Sequence, residues 1–167
     1  MTITVRDARP DERTLVRDLT LRAYGEYAVR MTSPAWVALR DVVRSTLDAE
    51  HAAERLVAEH DGKVVGSVYL FAPAADAYGG LTARVPAPEL RLLAVLPEAR
   101  GLGVGRALVD ECIRRARTSG ARELGLHTSA SMSAARQLYA SMGFVRAPER
   151  DFTVEGSELV EGFALTL

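Results

Sequence analysis

The sequence predicts a one-domain α/β fold, a mixed and mostly antiparallel sheet covered by helices, and three stretches carry that prediction. Leu90, Leu92, Leu93, Ala94, Val95 and Leu96 form an apolar run closed by Pro97. The run is too short for a helix and reads as a strand buried on both faces. It leads through Gly101, Gly103 and Gly105 into a helical pattern. Two strand-like runs, residues 55–60 and 63–71, flank Asp61-Gly62, a strong hairpin signal that makes them an antiparallel pair. After the helix, residues 122–128 form a further strand, which a right-handed crossover places parallel to the central one. With 167 residues, 48% of them hydrophobic, the chain supports one domain over residues 1–167 with a substantial core.

The remaining elements follow in order. Residues 2–6 alternate and are β-branched, which predicts a first strand. Pro10-Asp11-Glu12 opens a helix, with proline in the first turn and acids at the positive end of the dipole. Leu15, Leu19 and Ala23 are expected on its buried face. The segment from Tyr24 to Pro34 holds aromatics, a glycine and a proline, so the helix ends there in a loop. Ser33-Pro34-Ala35-Trp36 reads as the cap and first turn of a second helix, with Trp36, Leu39, Val43 and Leu47 on its apolar side. Residues 72–87, rich in Ala, Pro and Gly, show no period and predict a long loop. After the glycine turn, Val104, Leu108, Cys112 and Ala116, with Val109 and Ile113 beside them, mark a helix face that Gly120 ends. Ser133, Ala135, Leu138, Tyr139 and Met142 lie on a last helix stopped by Gly143, and residues 144–146 and 158–167 read as closing strands.

Composition limits the function. The net charge is -1, and 20 of the 21 basic residues are arginines scattered along the chain, Lys63 being the exception. That argues against a nucleic-acid or membrane-surface binder. Cys112 stands alone, so no intrachain disulfide is expected, and it reads as a small buried hydrophobe. His51 and His60 have no metal-ligand spacing with each other or with Cys112, so no metal is expected. No apolar run reaches the length of a membrane span, and residues 1–6 do not read as a signal peptide. A cytoplasmic protein is the expectation.

The glycine turn is the expected site. Backbone without Cβ atoms can approach a ligand closely, and the free N–H groups at a helix start favour an anion, above all a phosphate. The turn lacks the Lys and Ser/Thr of a Walker loop and the spacing of the dinucleotide fingerprint. What remains is Arg100-Gly101-Leu102-Gly103-Val104-Gly105, an RxxGxG turn after a strand ending in Ala-Val-Leu-Pro. This resembles the GNAT acyltransferases, and Leu138-Tyr139-Ala140-Ser141-Met142-Gly143-Phe144 matches their LYxxxGF motif about thirty-five residues further on. The resemblance covers residues 55–167 well and the amino-terminal fifty in outline.

The resemblance implies a three-layer sandwich of about seven strands and four helices. It implies direct transfer of the acetyl group of acetyl-CoA, in a ternary complex, to a primary amine on a small molecule or peptide, leaving coenzyme A. It implies a cofactor site of Leu93, Ala94, Val95, Arg100, Gly101, Leu102, Gly103, Val104, Gly105, Arg106, Ser131 and Met132. The backbone N–H of Val95 or a neighbour would hold the oxyanion. Tyr139 would be the general acid and Glu89 the general base. For Glu89 the alternative is an ion pair with Arg84 or Arg91. Met132 stands where many members have asparagine. His127 reads as a structural histidine ahead of a second base, because no acid is near it in sequence. Tyr24, Tyr27, Met31, Trp36 and Tyr78 are expected on the acceptor side, and a homodimer is compatible with the family. The rival reading is a non-catalytic acyl-CoA sensor.

Overall fold

A computed structural model describes residues 2–73, 80 and 86–167. The chain runs β1 (Ile3–Asp7), α1 (Arg13–Tyr24), α2 (Ser33–Asp48), β2 (Glu54–His60), β3 (Lys63–Phe71), β4 (Glu89–Val95), α3 (Val104–Thr118), β5 (Glu123–Thr128), α4 (Ser133–Ser141), β6 (Val145–Arg146), β7 (Phe152–Thr153) and β8 (Leu159–Thr166). The eight strands form one sheet in the order β1-β2-β3-β4-β5-β8-β6, with β7 also paired to β8. Every pairing is antiparallel except β4 with β5. The strand beyond the expected seven is β7, and two residues are too few to show a period. The long 72–87 loop falls mostly outside the described residues.

Helices cover both faces, as a sheet with two apolar faces requires. On one, Val16 of α1 and Val43 and Leu47 of α2 pack on Val57, Tyr69, Phe71 and Leu92. On the other, Val104, Leu108, Val109, Cys112, Ile113 and Ala116 of α3 meet Leu56, Ala58, Val68, Leu70, Leu90, Leu124 and Leu126, joined by Tyr139 and Phe144. In α1 the buried face is Val16, Leu19, Thr20 and Ala23, while Leu15 is 45% exposed. A stripe at constant spacing four winds off one side of a helix with 3.6 residues per turn, whereas alternating steps of three and four stay on it. The cap of α2 is Thr32, whose Oγ1 accepts from Ala35 N–H at 3.4 Å.

Two features of β4 shape the interior. Opposite β3 its register shifts between Arg91, paired with Tyr69, and Ala94, paired with Ser67, so Leu92 and Leu93 together oppose Val68. Leu92 takes φ +54°, and this bulge turns its side chain to the α1/α2 face while Leu93 packs on the α3 side. β4 meets β5 at a single register pair, Glu89 with Gly125, where Gly125 N–H donates to Pro88 carbonyl at 2.9 Å. Beyond that rung the strands part, and a split opens in the sheet.

Candidate active site

The split is flanked by two cavities. The first, of about 520 Å³, runs from Ala23–Arg30 past Leu93, Ala94 and Val95 to the glycine turn and the α4 residues Ala134, Ala135 and Leu138. Gly101 and Gly103 adopt φ of +75° and +87°, and Gly103 caps α3. A side chain there would be strained, which explains glycine at both places. None of the N–H groups from Gly101 to Arg106 donates to another group among the described residues. Six consecutive donors at the positive end of a fifteen-residue helix are thus left for a ligand. Arg100 braces the turn: it pairs with Glu26, and its guanidinium donates to the carbonyls of Val95 and Ala23, each at 3.3 Å. Arg106 lines the same groove and donates to Ser141 Oγ at 3.0 Å. This donor set fits the pyrophosphate of acetyl-CoA.

The second cavity, about 110 Å³, lies on the α1/α2 face. Met31, Leu39, Val42, Val43, Leu92, Met132, Phe152, Val154 and Val160 give it an apolar lining, into which Arg91, His127, Thr128, Ser129, Ser157 and Glu158 bring polar groups. It continues outward into a groove of about 870 Å³ between α2 and residues 154–156, with Arg91 lining both. Tyr24 lines this cavity and the cofactor groove alike. Tyr24 is thus common to both linings, beside the bulge that sends Leu92 to one and Leu93 to the other.

Glu89 starts β4 and is buried. Its Oε2 lies 3.1 Å from His127 Nδ1, and the other ring nitrogen of His127 is 2.8 Å from Arg150 carbonyl. The acid partner that sequence did not supply for His127 is thus Glu89, thirty-eight residues away and brought alongside by the β4–β5 rung. His127 lines the second cavity; Glu89 lies behind it. Arg91 instead donates to Thr46 Oγ1 at 2.6 Å.

Tyr139 is buried, its ring edge-on to Phe144 with centroids 5.7 Å apart. Burial pushes its phenol well above the ordinary value, aided by Tyr24, Tyr27 and Cys112. Its ring packs in the core on the α3 side of the sheet and lines neither cavity.

The other expected site residues divide. Leu93, Ala94, Val95, Arg100, Gly101, Gly103, Val104, Gly105 and Arg106, all expected at the cofactor, line the first cavity together with Tyr27, which was expected on the acceptor side. Leu102 points outward at the tip of the turn, 42% exposed. Ser131 is held away from the groove by Glu158, which accepts from its N–H at 3.3 Å and from its hydroxyl. Met132 lines the second cavity, its sulfur 3.4 Å from Thr128 Oγ1. Met31 is also there, whereas Trp36 is half-buried on α2 and lines neither cavity. Tyr78 and Arg84 lie outside the described residues. The wall of the second cavity formed by Phe152, Val154, Ser157, Glu158 and Val160 has no motif in the sequence. It is assembled only when β7 folds back on β8.

Over 92 residues the chain is 36% identical to a mycothiol acetyltransferase of Cellulomonas flavigena, covering 54% of this chain and 26% of that protein. Over 116 residues it is 36% identical to human N-acetyltransferase 8B, covering 70% of this chain and 48% of that one. The chain thus spans between about a quarter and a half of these curated relatives. A solved GCN5-related N-acetyltransferase from Rhodopseudomonas palustris superposes with a TM-score of 0.73 at 19% identity, covering 100% of this chain and 97% of that one. The ribosomal-protein-S18-alanine N-acetyltransferase of Escherichia coli does so with a TM-score of 0.65 at 22% identity, covering 99% and 94%. A model of the acetyltransferase (GNAT) family matches residues 15–144, and the chain belongs to that family.

Proposed function

We propose that the protein transfers the acetyl group of acetyl-CoA to a primary amine by direct attack, both substrates being bound at once. The observation that carries this reading is the pair of cavities that share Tyr24, beside a turn whose six N–H groups have no partner among the described residues. Acetyl-CoA supplies an activated thioester carbonyl. The turn residues hold its phosphates, and the groove along Leu93, Ala94 and Val95 directs it towards the split. The acceptor cavity admits the amine and excludes water with its apolar lining.

An amine must lose a proton before it attacks, and Glu89 is the assigned acceptor of that proton, acting through a water because it does not line the cavity. Tyr139 is assigned the return of a proton to the leaving thiolate. Its raised phenol keeps that proton across the neutral range, as a general acid requires.

Release of free thiol from acetyl-CoA over a panel of amines tests the reading. Tyr139→Phe should lower kcat by about a hundredfold or more. Unchanged turnover in both Tyr139→Phe and Glu89→Gln would remove these assignments.

One observation favours a second reading, an acyl-CoA sensor without turnover: neither Ser131 nor Met132 reaches the cofactor groove from the position where many relatives carry asparagine. A sensor would gain thermal stability from acetyl-CoA, more than from NAD or ATP, and release no thiol with any amine.

A further inference from the structure

Glu89 and His127 face each other beside the one register pair that joins β4 to β5. The Arg150 carbonyl near His127 Nε2 can only accept, so Nε2 carries a hydrogen. Nδ1 then stands 3.1 Å from Glu89 Oε2, and two lone pairs make a hydrogen bond only when one atom holds a proton. The pair is therefore either imidazolium with carboxylate or imidazole with carboxylic acid. Both forms are neutral overall, which suits side chains only 1% and 6% exposed. With Oε2, Nδ1 and Nε2 all engaged, Glu89 Oε1 remains, buried and without a hydrogen-bond partner among the described residues. Gly125 makes room for it: a Cβ there would lie 2.8 Å from Oε1.

We propose that Glu89 and His127 share one proton and clasp β4 to β5 at the closed end of the split. His127 is then a positioning residue that fixes the carboxyl group and leaves Oε1 as the atom through which the pair exchanges protons. Its catalytic part rests on the acetyltransferase reading. The charged groups around the pair are themselves engaged, except that Arg150 Nη1 is buried with no hydrogen-bond partner among the described residues. Arg91, on β4, donates to Thr46, and the Arg150 guanidinium holds Glu123 of β5 at 2.5 Å. Asp151 is paired with Arg146 at 2.8 Å, and Glu158, across the cavity, is held by Ser131. The α1 and α2 residues that line this cavity, Tyr24 among them, carry no charge.

Proton and 15N NMR of the full chain with labelled histidine tests the shared proton. The expected result is a strongly deshielded, exchange-protected proton coupled to the His127 ring, lost in both Glu89→Gln and His127→Gln. Its absence from the wild-type spectrum overturns the proposal. Kinetics test the positioning role. His127→Ala should lower kcat by about ten- to a hundredfold with KM for acetyl-CoA little changed, and His127→Gln, whose amide can donate to Oε2, should recover part of it. Wild-type kcat in both variants overturns that role, provided circular dichroism shows them folded. If the wild type releases no thiol with any amine, the acetyltransferase reading fails instead, and the NMR result alone decides the clasp.

Discussion

Burial decides what several single side chains can do. Cys112 is fully buried on the sheet-facing side of α3, and loss of solvation pushes its thiol up to about 12. It should resist alkylation by iodoacetamide at neutral pH and react only once the chain is unfolded, which mass spectrometry would show. Glu12 is the opposite case. It accepts two hydrogen bonds from the Arg6 guanidinium, both 2.8 Å, and one from Arg9 N–H at 2.7 Å, and these hold its carboxyl down at about 2. A depressed carboxylate adds stability that is present above its unfolded value and lost as pH falls through the folded one. Glu12→Gln should therefore cost about 1–3 kcal/mol at neutral pH in denaturant titrations. That deficit should shrink as pH drops from about 4.5 towards 2, where wild-type Glu12 is itself protonated.

Among the elements, the glycine turn concentrates strain and open donors in a few residues. Gly103→Ala forces a Cβ into φ +87°, at a cost of about 1–2 kcal/mol, and should weaken acetyl-CoA binding in calorimetry while leaving the sheet intact. This element was legible in sequence because its chemistry is local: glycine at alternate positions, an arginine before them and a helix after. The hairpin at Asp61-Gly62 was legible for the same reason, and both residues do take positive φ. The acceptor wall was not. Phe152, Val160 and Glu158 become neighbours of Met31 and Leu39 only through tertiary pairing, and β7 is too short to carry a period. The Glu89–His127 contact depends likewise on a parallel rung between residues thirty-six apart, which no spacing rule reaches. The Ser131–Glu158 contact is equally out of reach of local patterns, since the two lie twenty-seven residues apart.

For the whole molecule, the split makes two sheet halves, β1–β4 and β5–β8, each with its own antiparallel ladder and one rung between them. The apolar face of α3 spans the joint, touching Leu56, Val68 and Leu90 on one side and Leu124 and Leu126 on the other. Hydrogen exchange should show the Gly125 amide opening faster than the paired amides of β2 and β3, and slowing when acetyl-CoA is added. Past Glu89 no strand among the described residues pairs with the flank of β4 that faces β5, so main-chain groups of that flank face the split in the middle of the protein instead of its rim. Any elongated guest with amides of its own can extend the ladder there, bond for bond, whatever its side groups. An alkyl thioester of equal length, lacking those amides, should bind this interior slot more weakly than one built on pantetheine.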